Sequence, residues 1–135
     1  MGKKAQQLIG LALGVEKAAA IEADTVSAAI TKSVATGLTA TGSAITDAYD
    51  LTALVSVFGT VAAGTGAQLP DVDIGVEVIV QNNGANALNL YPHSSSGTLN
   101  GGLAGAAVTI AAAAGNRAIR VSSTDWLVSV YAKES

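Results

Sequence analysis

Aromatic side chains are scarce in this chain of 135 residues, which has one Phe, one Trp and three Tyr. Alanine dominates the apolar half of the composition. Aromatic rings usually supply the large buried areas of a core, so a monomer built mainly from Ala, Gly, Val, Ser and Thr buries little area per residue. The composition therefore predicts that identical copies of the chain pack against one another.

Basic residues are missing from the middle of the chain, where no Lys or Arg occurs between Ser33 and Asn116. A soluble monomer normally carries mixed charges over its surface, so this stretch predicts a surface that partners largely cover. The formal net charge is -3. Nucleic acids are bound through basic patches, and Arg117 and Arg120 alone do not make one, so no nucleic-acid partner is expected.

Cysteine is absent as well, which excludes disulfides and Cys-ligated metal sites. A membrane-spanning helix needs about 20 consecutive apolar residues. No apolar run in the chain reaches that length, so no membrane partner is expected.

Residues 1–33 are predicted to form an N-terminal arm that is partly helical. Apolar residues recur at helical spacing within Lys4 to Ala23, and Ala, Leu, Glu, Lys and Gln favour a helix. Gly10 and Gly14 weaken that helix by ~1 kcal/mol each relative to Ala. Two interpretations stay open: an arm that is partly mobile, or an apolar stripe that docks on a partner subunit or bundles with its own copies.

Residues 34–135 are predicted to form a β-rich domain. Val76, Val78 and Val80 are predicted to point to one side of a strand, and Glu77, Ile79 and Gln81 to the other, which is the period of a strand. The Asn82–Gly84 turn and the alternation that resumes at Ala87 to Leu90 predict a β-hairpin.

Further short strands are expected on both sides of this hairpin, with turn residues between them at short and regular intervals. Val34 to Gly42 is predicted to be an extended segment or a linker, and Gly64 to Gly66 a turn. The remaining strands are predicted at Ala48 to Thr52, Val55 to Ala62, Thr98 to Asn100, Ala107 to Ala111, Arg117 to Ser122 and Trp126 to Ala132. The last two of these are predicted to pair, joined by Ser123-Thr124-Asp125. This spacing predicts a mainly β fold, a small antiparallel β-sandwich or barrel.

Residues that could carry chemistry are few. His93, Ser94 and Asp71 supply the residue types of a catalytic triad, but no Gly-x-Ser-x-Gly elbow accompanies them. The interpretation is a loop histidine without a chemical role. The Asp71-x-Asp73 pair lacks the further oxygen ligands of a calcium loop and is interpreted as a solvated acidic turn.

Two other features have structural interpretations. Asn82–Gly84 follows no phosphate-loop spacing and lacks its lysine. Trp126 is a candidate for stacking on a ligand, but a core or subunit-interface position is the preferred interpretation. The sequence thus predicts no catalytic residues, no cofactor and no metal site, and the protein is not expected to be an enzyme.

Between Leu38 and Trp126 the chain resembles small β-rich structural proteins of tailed-bacteriophage particles. An upstream part carries Ala48-Tyr49 and the run Val61 to Gly66. The downstream residues that carry the resemblance are Leu69-Pro70, Gly75, Val80, Asn82-Asn83-Gly84, Leu90-Tyr91-Pro92, Ser96-Gly97, Leu99-Asn100-Gly101, Gly115 and Trp126.

The resemblance implies a virion protein that decorates or cements the capsid as a homotrimer, with the major capsid protein and its own copies as partners. It implies a position on the capsid surface and no catalytic residues, and it does not extend to the N-terminal arm. The alternative function is a receptor-binding module of a tail fibre or head fibre, which would use an exposed loop such as Pro92 to Gly97 to hold a host glycan.

Overall fold

The computed structural model describes residues 31–131, and their fold is that of the unit that begins at Ser33. The helical arm predicted for residues 1–33 lies outside the described residues, apart from its last three. Residues 31–131 contain no helix and form ten strands. The strands are β1 (Val34–Thr39), β2 (Tyr49–Asp50), β3 (Val55–Thr60), β4 (Gly66–Gln68), β5 (Glu77–Asn82), β6 (Leu88–Tyr91), β7 (Thr98–Leu99), β8 (Val108–Ile110), β9 (Gly115–Arg120) and β10 (Asp125–Tyr131).

The strands form two sheets, and the chain alternates between them from β1 to β9. Sheet A has the order β1-β3-β5-β9-β10-β7, and sheet B has the order β2-β4-β6-β8. Strands β1, β3 and β5 pair in parallel, and so do β2, β4 and β6. Each successive pair among these six strands thus makes one coil of a solenoid-like arrangement. The prediction of a mainly β fold is confirmed, whereas the antiparallel sandwich or barrel is wrong.

The C-terminal part of the chain closes this arrangement with antiparallel pairs. Strand β8 pairs with β6 in sheet B, and β9 pairs with β5 in sheet A. Strands β9 and β10 form a hairpin, as the sequence predicts for its last two strands. Strand β7 then pairs in parallel with the outer side of β10 and ends sheet A.

The core lies between the two sheets. Val78 and Val80 of sheet A are fully buried, as are Leu88 and Leu90 of sheet B, and all four belong to one cluster of buried side chains. The rings of Tyr49 in sheet B and Phe58 in sheet A meet edge to face at a centroid distance of 5.6 Å. The faces assigned from the alternation in β5 and β6 are therefore confirmed.

The hairpin predicted around Asn82–Gly84 is wrong, because β5 and β6 belong to different sheets. The turn is a corner of a coil, and none of its three residues has a positive φ. The Asn82 amide holds the corner by donating to the carbonyl oxygens of Asn86 and Ile110 and accepting from the Gly84 N–H. A Cβ at Gly84 would lie 2.7 Å from Val61, so glycine is required here by close approach.

Strand β4 falls where the sequence predicts the end of a turn. Gly66 and Ala67 have weak strand propensity, yet Ala67 is fully buried and pairs with Leu90. A Cβ at Gly66 would collide with the Asn89 carbonyl oxygen, so β4 fits against β6 only with glycine at that position. Strand β4 therefore forms because it packs against the neighbouring coil. The strand propensity of its own residues does not predict it.

Candidate functional site

Four polar or aromatic side chains meet at one end of the strands, and together they form the His93 cluster: His93, Arg120, Asp71 and Trp126. His93 follows the buried Pro92 just after β6, and Asp71 lies in the loop between β4 and β5. Arg120 ends β9, and Trp126 is the second residue of β10. The cluster thus joins loops that are far apart in the sequence.

Arg120 is the centre of the His93 cluster, and its side chain is only 11% exposed. A guanidinium has five N–H donors, and four of them have an oxygen acceptor here. The acceptors are the carbonyl oxygens of Val72, Ser122 and Ser123 and the Asp71 carboxylate, and the remaining N–H faces His93 Nε2. The Arg120 carbonyl oxygen also accepts from the Gly75 N–H at 2.7 Å. This one side chain therefore ties the loop before β5, the turn between β9 and β10, and the loop after β6.

Both ring nitrogens of His93 face groups that only donate. Trp126 Nε1 donates to Nδ1 at 3.0 Å, and Arg120 Nη2 lies 3.0 Å from Nε2. A neutral imidazole offers one lone pair to these two donors, and a protonated one offers none. Burial lowers the pKa of His93, the Arg120 charge lowers it further, and the Asp71 carboxylate acts in the opposite direction. The cluster therefore holds His93 in its neutral form.

His93, Ser94 and Asp71 do not form a triad among the described residues. The Ser94 hydroxyl hydrogen-bonds to the Ser96 hydroxyl at 3.1 Å, and Asp71 binds Arg120. Since both nitrogens of His93 are occupied by Arg120 and Trp126, neither is directed at Ser94. The arrangement makes His93 part of the framework that holds the loops.

The acidic turn at Asp71 and Asp73 makes one local contact and one contact that is distant in the sequence. The Asp73 carbonyl oxygen accepts from the Val76 N–H at 3.2 Å, and the Asp71 carboxylate is bound to Arg120. No group of three or more His, Cys, Asp or Glu residues among the described residues is placed to hold a metal ion.

Trp126 lies in the core, since none of its surface is exposed and its indole belongs to the main cluster of buried side chains. The buried indole N–H of Trp126 is satisfied because it donates a hydrogen bond to His93 Nδ1. The indole faces are covered by this same chain, so Trp126 does not offer a stacking platform to a ligand.

The outer face of sheet A, made of side chains that point away from sheet B, is unusually apolar. Its polar members include Glu77 and Arg117, whose charged atoms lie 3.9 Å apart. A sheet face turned to water normally carries mainly polar residues. The apolar members of this face are Val34 (62% exposed), Val55, Val57, Ile79, Ile119 (37%) and Leu127 (58%).

Sequence reasoning missed Arg120, Asn82 and Asn100 as organising residues. Asn100, which has a φ of 54°, donates through its amide to the Val128 carbonyl oxygen and accepts from the Val128 N–H. It thus continues the pairing of β7 along β10 through its side chain. No local sequence pattern indicates the role of Arg120, because its partner Asp71 precedes it by 49 residues. For Asn100 a signal does exist, since an Asn-Gly pair is typical of a turn.

No ligand-sized pocket opens among residues 31–131.

The described residues contain no helix with the length and apolar character that crossing a bilayer requires.

Comparisons of the chain with known protein families, with curated proteins and with solved structures found no match.

Proposed function

We propose that the protein is a structural component of a virion, which decorates and cements the head of a tailed bacteriophage as a homotrimer bound to the major capsid protein. The observation that carries this proposal is the outer face of sheet A, an apolar surface with few charges on a very small domain. Exposed apolar patches of this kind are typical of surfaces that bind other proteins.

The mechanism is clamping, in which the bound protein holds neighbouring capsid subunits together. A decoration protein that binds only the mature, expanded shell stabilises that state by mass action. Once one subunit of a trimer has docked, the others reach their sites at a high effective concentration, so weak contacts add up to tight attachment. Short side chains, which dominate this sequence, let subunits approach closely around a symmetry axis.

Mixing the full chain with empty mature capsids, with unexpanded capsids and with host cells tests the function. We expect cosedimentation with mature capsids only, and a higher melting temperature of the decorated shell. Binding to host cells without binding to capsids would overturn the proposal and favour the receptor-binding alternative.

A variant truncated before Thr25 tests the N-terminal arm in the same assay. A loss of capsid binding with an unchanged circular dichroism spectrum of the β domain would make the arm the anchor. Full retention of binding would place the capsid contact on residues 25–135.

A further inference from the structure

Two Asn-Gly pairs occur in the chain, Asn83-Gly84 and Asn100-Gly101. In such a pair the glycine backbone nitrogen can attack the carbonyl carbon of the asparagine side chain, because glycine has no side chain that shields its nitrogen. Both asparagines are exposed in the structure. Exposure therefore does not distinguish the two pairs, whereas their hydrogen bonds do.

The Asn100 side chain is held at both of its polar atoms. Its amide nitrogen donates to the Val128 carbonyl oxygen at 2.9 Å, and its oxygen accepts from the Val128 N–H at 2.8 Å. Attack by the Gly101 nitrogen requires this side chain to rotate, which breaks both bonds. The fold therefore protects the Asn100-Gly101 pair by keeping the asparagine side chain bound to β10.

The Asn83 side chain is held much less firmly. Its oxygen accepts one hydrogen bond, from Gln81 Nε2 at 3.1 Å, and its amide nitrogen has no hydrogen-bond partner among residues 31–131. Negative charge develops on this oxygen when the carbonyl carbon is attacked, and a donor placed there stabilises that charge. The one bond of the Asn83 side chain thus assists the reaction.

The restraint on the Asn83-Gly84 pair lies on the glycine. The Gly84 N–H donates to Asn82 Oδ1 at 2.9 Å. An amide oxygen is not a base near neutral pH, so the proton has to leave to hydroxide from the solvent. Hydroxide reaches the N–H only while its bond to Asn82 is open, and the Asn82 side chain therefore slows the reaction.

We infer that Asn83 is a site of spontaneous deamidation in the folded protein and that the Asn82 side chain sets its rate. The Gly84 nitrogen loses its proton to hydroxide and bonds to Cγ of Asn83, the Cγ–Nδ2 bond breaks, and ammonia leaves. Water then opens the cyclic imide at either carbonyl, which gives aspartate or iso-aspartate at position 83. The reaction consumes water, releases ammonia and needs no further reactant.

Both products change the corner after β5. Each adds a negative charge to a chain whose formal net charge is already -3. Iso-aspartate also adds a methylene to the main chain, at a corner where a Cβ on Gly84 would already lie 2.7 Å from Val61 and where the Asn83 N–H donates to the Phe58 carbonyl oxygen. Iso-aspartate is therefore expected to loosen the corner.

Ageing the full chain in a mildly alkaline buffer, followed by tandem mass spectrometry, tests the inference. Trypsin leaves both pairs on one peptide, residues 33–117, because no Lys or Arg lies between Ser33 and Asn116. We expect Asn83 to deamidate about 10-fold or more faster than Asn100 in the folded protein, since the Asn100 side chain must first lose two hydrogen bonds. In the urea-unfolded chain the two sites are expected to react at similar rates.

Two outcomes of this comparison would overturn the inference. One is an Asn100 that reacts as fast as Asn83 in the folded protein. The other is an Asn83 that deamidates in urea but stays intact in the folded chain over the same period.

The variant N82A tests the restraint, because it removes the oxygen that accepts the Gly84 N–H. We expect deamidation at Asn83 to become about 5-fold faster, the effect of losing one hydrogen bond, while Asn100 keeps its rate. Asn100 is the control for unfolding, since a chain that simply opens would expose both pairs. An unchanged rate at Asn83, or equal acceleration at the two sites, would overturn the role of Asn82.

The reaction involves neither a capsid nor a second copy of the chain. Its outcome is therefore independent of the proposed function, and either can fail while the other stands.

Discussion

Two asparagine side chains are fully buried in this molecule, and they are in opposite hydrogen-bonding states. The Asn82 amide is satisfied by carbonyl oxygens from the corner and from β8, and its oxygen accepts the Gly84 N–H. The amide nitrogen and oxygen of Asn116 have no hydrogen-bond partner among residues 31–131. Asparagine is therefore expected to stabilise the fold at position 82 and to destabilise it at position 116.

Replacing each asparagine with leucine separates the two states. N82L removes the acceptor of the Gly84 N–H and the donor to the Asn86 and Ile110 carbonyl oxygens, so we expect the free energy of unfolding to fall by about 2–4 kcal/mol. N116L removes an unsatisfied amide from the core, so we expect no loss, or a gain of about 1 kcal/mol. Urea unfolding measures both, and an equal loss in the two variants would contradict the assignment.

The sequence allows part of this residue-level organisation to be foreseen. The Asn82–Gly84 run predicts a turn, and the chain does turn there, although the turn is a corner between two sheets and the role of the Asn82 side chain is not predicted. The five groups around the Arg120 guanidinium come from three separate loops, so its role depends on the tertiary fold. No neighbour in the sequence signals that role.

At the scale of elements, the sequence predicts which residues of β5 and β6 share a face and that β9 pairs with β10, but it predicts the wrong partner for β5. Alternation in β5 and β6 is a local property, so the pattern alone places Val78 with Val80, and Leu88 with Leu90, on one face of each strand, and in the structure both faces are buried. A hairpin and a solenoid corner can share the same alternation on both sides of an Asn-Gly turn. The choice between them depends on strands that are distant in the sequence, such as β3, which pairs with β5.

The corner after β5 gives an element-level prediction. In G84A the new Cβ would lie 2.7 Å from Cβ, Cγ2 and the backbone nitrogen of Val61. The backbone atom cannot swing away, so we expect the variant to lose about 1–3 kcal/mol of unfolding free energy through overpacking.

Gly59 in β3 provides the control for this substitution, because it also has no positive φ and a Cβ there would meet its nearest atom at 3.9 Å. We expect G59A to stay within about 0.5 kcal/mol of wild type. Thermal and urea unfolding of both variants give the comparison. A G84A variant as stable as G59A would show that the corner relaxes without needing a glycine.

At the scale of the whole molecule, the His93 cluster links stability to pH. The pKa of His93 in the folded protein is lowered from its ordinary value of 6.5, chiefly by burial. The unfolded chain therefore binds a proton more readily than the folded one in the range just below pH 6.5. Stability rises with pH where the unfolded state holds more protons, so it is fully present above pH 6.5 and declines as the pH falls below it.

We expect the free energy of unfolding to decrease between pH 7 and pH 5, and the decrease to be smaller in H93Q, which removes the titrating ring. A further loss should follow at lower pH, because hydrogen bonds from Thr98 and Ser122 lower the pKa of Asp125 from 3.8. Urea unfolding at stepped pH values measures both phases. Parallel curves for wild type and H93Q between pH 7 and pH 5 would rule out His93 as the source.

The alternation of the chain between two sheets has a consequence for how the fold assembles. Among the described strands, only β9 and β10 are consecutive in sequence and hydrogen-bonded to each other. In every other pair, at least one further strand lies between the two partners along the chain, and the entropy lost in closing a loop grows with its length. β10 is the last of the described strands in chain order, so the most local pairing completes only after the ribosome has synthesised the other nine.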